Sequence, residues 1–111
     1  MSPSRRSLRV AQADVFAALG DETRLALVAQ LARGQPRSIA ELTRGSRLTR
    51  QAIRKHLRVL ETAGMVRGMR LGREHRFAFT PQPIVGIREY LDFVSEQWDQ
   101  ALGRLQSFVE R

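Results

Sequence analysis

Apolar residues recur at three- and four-residue spacings along most of this chain, and the period drops to two in one stretch only. The first helical stripe is Val15, Phe16 and Leu19, which predicts a helix over 8–19 stopped by Gly20. Asp21 then reads as an N-cap with Glu22 in the first turn, opening a second helix that carries Leu25, Val28 and Leu31 and ends at Gly34. Ser38 caps a short helix holding Ile39 and Leu42. A turn follows over 43–48, with Gly45 in it. Thr49 caps the next helix, Arg50 to Ala63, and Gly64 terminates it. The alternation then changes: Val66 to Leu71 and His75 to Thr80 read as two strands around Gly72-Arg73-Glu74, a hairpin signal. Pro81 and Pro83 break the chain before a long last helix. Residues 1–7, MSPSRRS, read as a flexible basic arm.

The last helix has the strongest pattern. Ile84, Ile87, Leu91, Val94, Trp98, Ala101, Leu105 and Phe108 alternate three- and four-residue steps, a seam sustained over more than three heptads. At 1.5 Å per residue this helix is roughly 38 Å long. The shorter helices cannot cover such a seam, whereas a second copy of the same helix can. The dimer interface expected from this is Ile87, Leu91, Val94, Trp98 and Leu105, with Val15, Phe16 and Leu19 of the first helix alongside.

Composition narrows the class. The 111 residues allow one domain, and 42% hydrophobic residues can fill its core. There is no cysteine, which excludes disulfides, thiolate metal sites and a cysteine nucleophile. No apolar run has the length of a signal peptide's core or of a membrane span, so no membrane partner and a cytoplasmic location are expected. The net charge is +8 and is unevenly placed: between Arg44 and Arg76 ten Lys or Arg stand against only Glu61 and Glu74, while the nine basic and nine acidic residues elsewhere cancel. Charge confined to one segment marks a polyanion-binding surface.

Two short helices joined by a turn, followed by a hairpin, make a winged helix-turn-helix. The expected fold is therefore mainly α with a small β-hairpin, a winged helix-turn-helix with long terminal dimerisation helices. One domain is expected over 8–111: helix-turn-helix 38–64, wing 65–80, dimerisation helix 84–110. In the helix Arg50–Ala63, Ile53, Leu57 and Leu60 share one face and turn to the core. Arg50, Gln51, Arg54, Lys55 and Arg58 share the other, without an acid among them. Arginine can donate two hydrogen bonds to guanine and glutamine can read adenine, so this face suits a major groove. Residues near the helix start reach base edges first. Arg50, Gln51 and Arg54 are assigned to base readout, with Thr49 beside them, and Lys55 and Arg58 to phosphates. In the wing Arg73 at the tip is the best minor-groove or phosphate contact, with Arg76 beside it. His56 serves equally well as a phosphate donor or as a histidine bonded within the domain.

The run LTRQAIRKHLRVLETAGMVRGMRLGREHRFAFT resembles the recognition helix and wing of ArsR-type winged helix repressors, through His56-Leu57, Leu60, Ala63-Gly64-Met65-Val66 and Gly72-Arg73. FAALGDETRLALVAQLARG resembles that family's second-helix signature, with Asp21, Thr23, Arg24 and Leu25 at the matching places. The resemblance spans about residues 10–110. It implies a homodimer that binds double-stranded DNA, represses a promoter and is released by a small-molecule or protein effector. The Cys-x-Cys pair of metal-sensing members falls on Ser38 and Ala40 here. The last helix offers Glu89, Asp92, Glu96 and Asp99 but no histidine. The chain is thus most similar to the metal-free branch, and neither metal nor cofactor is expected.

An enzyme would need a nucleophile–base pair, a phosphate loop or a metal cluster, and the sequence has none of these. A winged-helix module for protein interaction would work through the last helix, but the basic excess lies elsewhere. RNA binding favours exposed aromatics, and the segment from Arg44 to Arg76 has none.

Overall fold

In a computed structural model, which describes residues 4–110, the chain forms five helices and a three-stranded sheet. The helices are α1 (Arg5–Leu19), α2 (Glu22–Ala32), α3 (Ile39–Thr43), α4 (Arg50–Thr62) and α5 (Gln82–Val109). The strands are β1 (Arg37–Ser38), β2 (Val66–Leu71) and β3 (Glu74–Phe79). This is the mainly helical winged helix-turn-helix expected, with one strand that the alternation did not announce. Two residues cannot display a period, so β1 is legible only from its pairing: Arg37 lies opposite Phe77 and Ser38 opposite Arg76, giving the antiparallel order β1-β3-β2.

Helix starts follow the caps. Asp21 Oδ1 accepts from the Arg24 N–H at 3.0 Å, Ser38 Oγ from the Glu41 N–H at 3.2 Å, and Thr49 Oγ1 from the Ala52 N–H at 3.1 Å. Ser38 Oγ also donates to the Glu41 carboxylate at 3.2 Å, a second tie between the cap and the first turn of α3. Helix α1 begins a turn earlier than expected, because Ser4 Oγ accepts from the Ser7 N–H at 3.1 Å. The part of the expected arm over residues 5–7 is therefore helical, and its first three residues lie outside the described ones. Helix α5 likewise begins at Gln82. Pro83 does not break the chain but sits in the first turn, where a missing N–H costs nothing.

The core is one cluster: Val15 and Ala18 of α1, Leu27 and Leu31 of α2, Leu42 of α3, Ile53, Leu57 and Leu60 of α4, then Met65, Val66, Phe77 and Ile87. Helix α4 ends where Gly64 adopts φ +77° and lets the Met65 N–H return to the Leu60 carbonyl at 2.9 Å. The hairpin pairs Leu71 with Glu74, so its loop is Gly72-Arg73 alone. Gly72 takes φ +65° at the first loop position, where a side chain would be strained. Among the described residues no helix is long and apolar enough to cross a membrane.

Candidate nucleic-acid interface

Burial of Ile53, Leu57 and Leu60 fixes the rotation of α4, and that rotation leaves Arg50, Gln51, Arg54, Lys55 and Arg58 exposed on its outer side, with Thr49 exposed at the cap. The α4 side chains named from sequence are thus brought together on one surface. Arg73 stands exposed at the tip of the hairpin. Phe77 is buried and Phe79 packs against the core, so the wing presents its cations and not its aromatic rings. His75 stays outside, its ring 4.7 Å from that of Phe77.

Arg76 corrects the sequence assignment. Its Nη2 lies 2.6 Å from Glu74 Oε2 and 3.3 Å from Glu41 Oε1, its Nε donates to Glu74 at 2.8 Å, and its Nη1 donates to the Pro36 carbonyl at 3.0 Å. The hydrogen bond with Glu74 holds the guanidinium pKa above its ordinary value. This arginine is already committed to holding the wing on α3 and the strand before it. Proximity in sequence to Arg73 hid the difference: alternation along β3 puts Arg76 on the face opposite Phe77, toward Glu41.

A second feature went unseen in the sequence. Arg24 Nε donates to the Ala18 carbonyl at 2.6 Å and Nη2 to the Ala17 carbonyl at 3.4 Å, while Nη1 lies 3.2 Å from His56 Nδ1. One guanidinium therefore ties the end of α1 to the side of α4, across the α1–α2 corner capped by Asp21. An arginine satisfying carbonyls at a helix C-terminus acts favourably on them. His56, half-buried, is turned into the domain, which decides between its two readings. The Arg24 backbone N–H is the main reason that the Asp21 carboxyl titrates below 3.8; burial opposes it, and the nearby positive charges add to it.

The expected dimer residues divide. Val15 and Ile87 are covered within the chain, where α1 and α5 meet, so they hold α5 to its own domain rather than await a partner. Leu19 and Val94 are half-buried, and Phe16 packs edge-on against Tyr90 with ring centroids 6.0 Å apart. Leu91, Trp98 and Leu105 are exposed, as is Phe108 at the end of the same seam, and Phe93, Leu102 and Val109 outside it are exposed too. Among the described residues no three of His, Asp and Glu come together as metal ligands.

Residues 19–68 match a family model described as a helix-turn-helix domain. The chain is 38% identical over 79 residues to an uncharacterized HTH-type transcriptional regulator, YuzN, of Bacillus subtilis, covering 66% of this chain and 86% of that one. It is 30% identical over 101 residues to the HTH-type transcriptional repressor SmtB of Mycobacterium tuberculosis, covering 91% and 73%. Among solved structures it superposes with TM-score 0.82 on an ArsR-like transcriptional regulator from Rhodococcus sp. RHA1, 33% identical, covering 91% and 92%. It also shares the fold of a homodimeric winged helix-turn-helix DNA-binding domain from Mycobacterium bovis, with TM-score 0.65, 19% identity, and 90% and 93% of the chains covered.

Proposed function

The chain belongs to the ArsR-type family of winged helix-turn-helix transcriptional regulators, and from that premise we propose that it represses transcription as a homodimer on a palindromic DNA operator. The observation that carries this is the acid-free exposed face of α4, held by a buried apolar face on the same helix. We read Arg50, Gln51 and Arg54 as base contacts, with Thr49 beside them. Lys55, Arg58 and the wing-tip Arg73 serve as phosphate contacts. The M. tuberculosis relative's name as a repressor supports the direction of control. The M. bovis protein's homodimeric state supports the pairing. Two copies read two half-sites about 34 Å apart or a multiple of that, which gives the specificity ratio that one helix lacks.

The test is footprinting on the DNA upstream of the chain's own coding region, followed by affinity measurements over a salt series. With about six phosphates neutralised per dimer, log K falls against log salt with a slope near −5. Arg50→Ala or Gln51→Ala costs roughly 1–3 kcal/mol on the preferred site and relaxes its sequence. Arg73→Ala weakens all sequences about equally. Binding insensitive to salt, or an unchanged preferred site in both α4 variants, would refute the placement of the recognition helix.

A further inference from the structure

Between α1 and the C-terminal half of α4 lies an open cleft of about 690 Å³. Its walls include Ala17 of α1 and Val59 of α4, and Val59 is 41% exposed there although the core of the same helix is sealed. Lys55 and Arg58 stand on the α4 side, and the lining also includes Arg24, whose guanidinium ties α1 to His56. The one acid on the lining is Asp14. The volume falls in the range of small-molecule sites. An apolar floor beneath three cations and one carboxylate does not match a bare phosphate, which has no use for Val59 and Ala17. It matches a ligand with an apolar body and a single anionic end.

We propose that this cleft binds a small amphipathic organic anion, such as an aromatic or fatty carboxylate, and that its occupation antagonises DNA binding. The inference rests on the proposed function in one respect: Lys55 and Arg58 are the residues read there as phosphate contacts. A carboxylate held by them competes for the same charges, and an apolar body lodged between α1 and Val59 presses on the flank that Arg24 pins through His56. Differential affinity for the DNA-free form is what any effector needs. Since the sequence has no cysteine, thiolate chemistry cannot supply the release, and this cleft gives it another chemical basis.

The probe is naphthalene-2-carboxylate, titrated into the full-length protein by calorimetry, with naphthalene-2-methanol as the uncharged comparator. The carboxylate binds with about one site per chain, and the alcohol binds at least about tenfold more weakly, the difference an ion pair worth roughly 1.4 kcal/mol makes. Val59→Trp, which fills the cleft while leaving every cation in place, abolishes carboxylate binding; Ala17→Leu narrows it from the other wall and does the same. Asp14→Asn tightens it. Adding the carboxylate to a preformed complex with the footprinted DNA lowers DNA affinity in the wild type but not in Val59→Trp. Equal binding of acid and alcohol would overturn the anionic class. Unaltered binding in both cleft variants would overturn the site. Loss of the dimer in Val59→Trp would assign the cleft to a second copy instead. Wild-type protein that fails to bind DNA before any ligand is added would refute the proposed function, and is read separately from all of these.

Discussion

Helix α4 and the outer half of α5 repeat apolar residues at the same three- and four-residue steps, yet Leu60 is 0% exposed and Trp98 is 68% exposed. Ile53, Leu57 and Leu60 are buried in one cluster with residues of α2, α3 and the wing, the elements against which α4 packs. On α5, Ile87 is buried and Val94 is half-buried, but every residue from Ser95 to Glu110 is exposed, Trp98, Leu102, Leu105 and Phe108 included. Pattern alone therefore does not decide burial; the reach of neighbouring elements does. An isolated helical segment with such a row is marginal in water, and a contiguous apolar patch of this extent marks an interaction surface. The same residue types that stabilise one helix from inside the chain lie uncovered on the other, and that row is the surface we assign to the proposed homodimer.

The sharpest way to break this contrast is to truncate one leucine on each helix. Leu60→Ala leaves a cavity in a sealed core and costs about 2–5 kcal/mol in urea unfolding, independent of protein concentration. Leu105→Ala leaves the unfolding of the protomer within about 0.5 kcal/mol of wild type, and its effect grows only where dimerisation contributes. A concentration-independent loss of similar size at Leu105 would mean that the outer half of α5 packs on its own domain.

The next effect is on assembly. Trp98 carries the largest side chain of the exposed row, and a buried aromatic near an interface centre costs at least about 2 kcal/mol of association when truncated. The double variant Leu91→Glu with Trp98→Glu places charges in the row. Light scattering then reports a monomer, circular dichroism keeps its helical signal, and tight operator binding is lost. A double variant that still dimerises would move the interface elsewhere.

The contrast also sets what was legible beforehand. Caps and stops placed α2, α3 and α4, because Asp21, Ser38, Thr49 and Gly64 act on backbone groups within four residues of themselves. The exposed face of α4 followed from its buried face by geometry, so the six residues from Thr49 to Arg58 were readable without a structure. Long-range ties were not. Nothing in the spacing says that Arg76 reaches Pro36 and Glu41, or that Arg24 reaches His56, 32 positions away. Nor does a heptad row say where its own domain stops covering it: Val15 and Ile87 belong to the same stripes as Phe16 and Leu91 but are used up internally.

The smallest expected effect separates the two regions by pH. The α2 and α3 starts are held by carboxylates, whereas α5 has Pro81 at its N-cap and no side-chain cap. Asp21 titrates below 3.8, chiefly because its carboxylate accepts the Arg24 N–H. Glu41 titrates below 4.5: burial pushes it up, but hydrogen bonds from Ser38 and the charges of Arg76 and Arg37 outweigh that. Both folded values lie below the unfolded ones, so the unfolded chain binds more protons in this range and stability falls with falling pH. The contribution is full above both ordinary values and drains away as the pH passes below 4.5 and then 3.8. Urea midpoints measured from neutral pH down to about pH 3 should decline over that window, and Asp21→Asn with Glu41→Gln should flatten the decline while lowering the neutral-pH midpoint. Neither change touches α5, so the fluorescence of Trp98, the only tryptophan, should report dimer dissociation with the same protein-concentration dependence in the variant and the wild type at neutral pH. A variant whose acid decline is as steep as wild type would show that the two helix starts are held by something other than these two carboxylates.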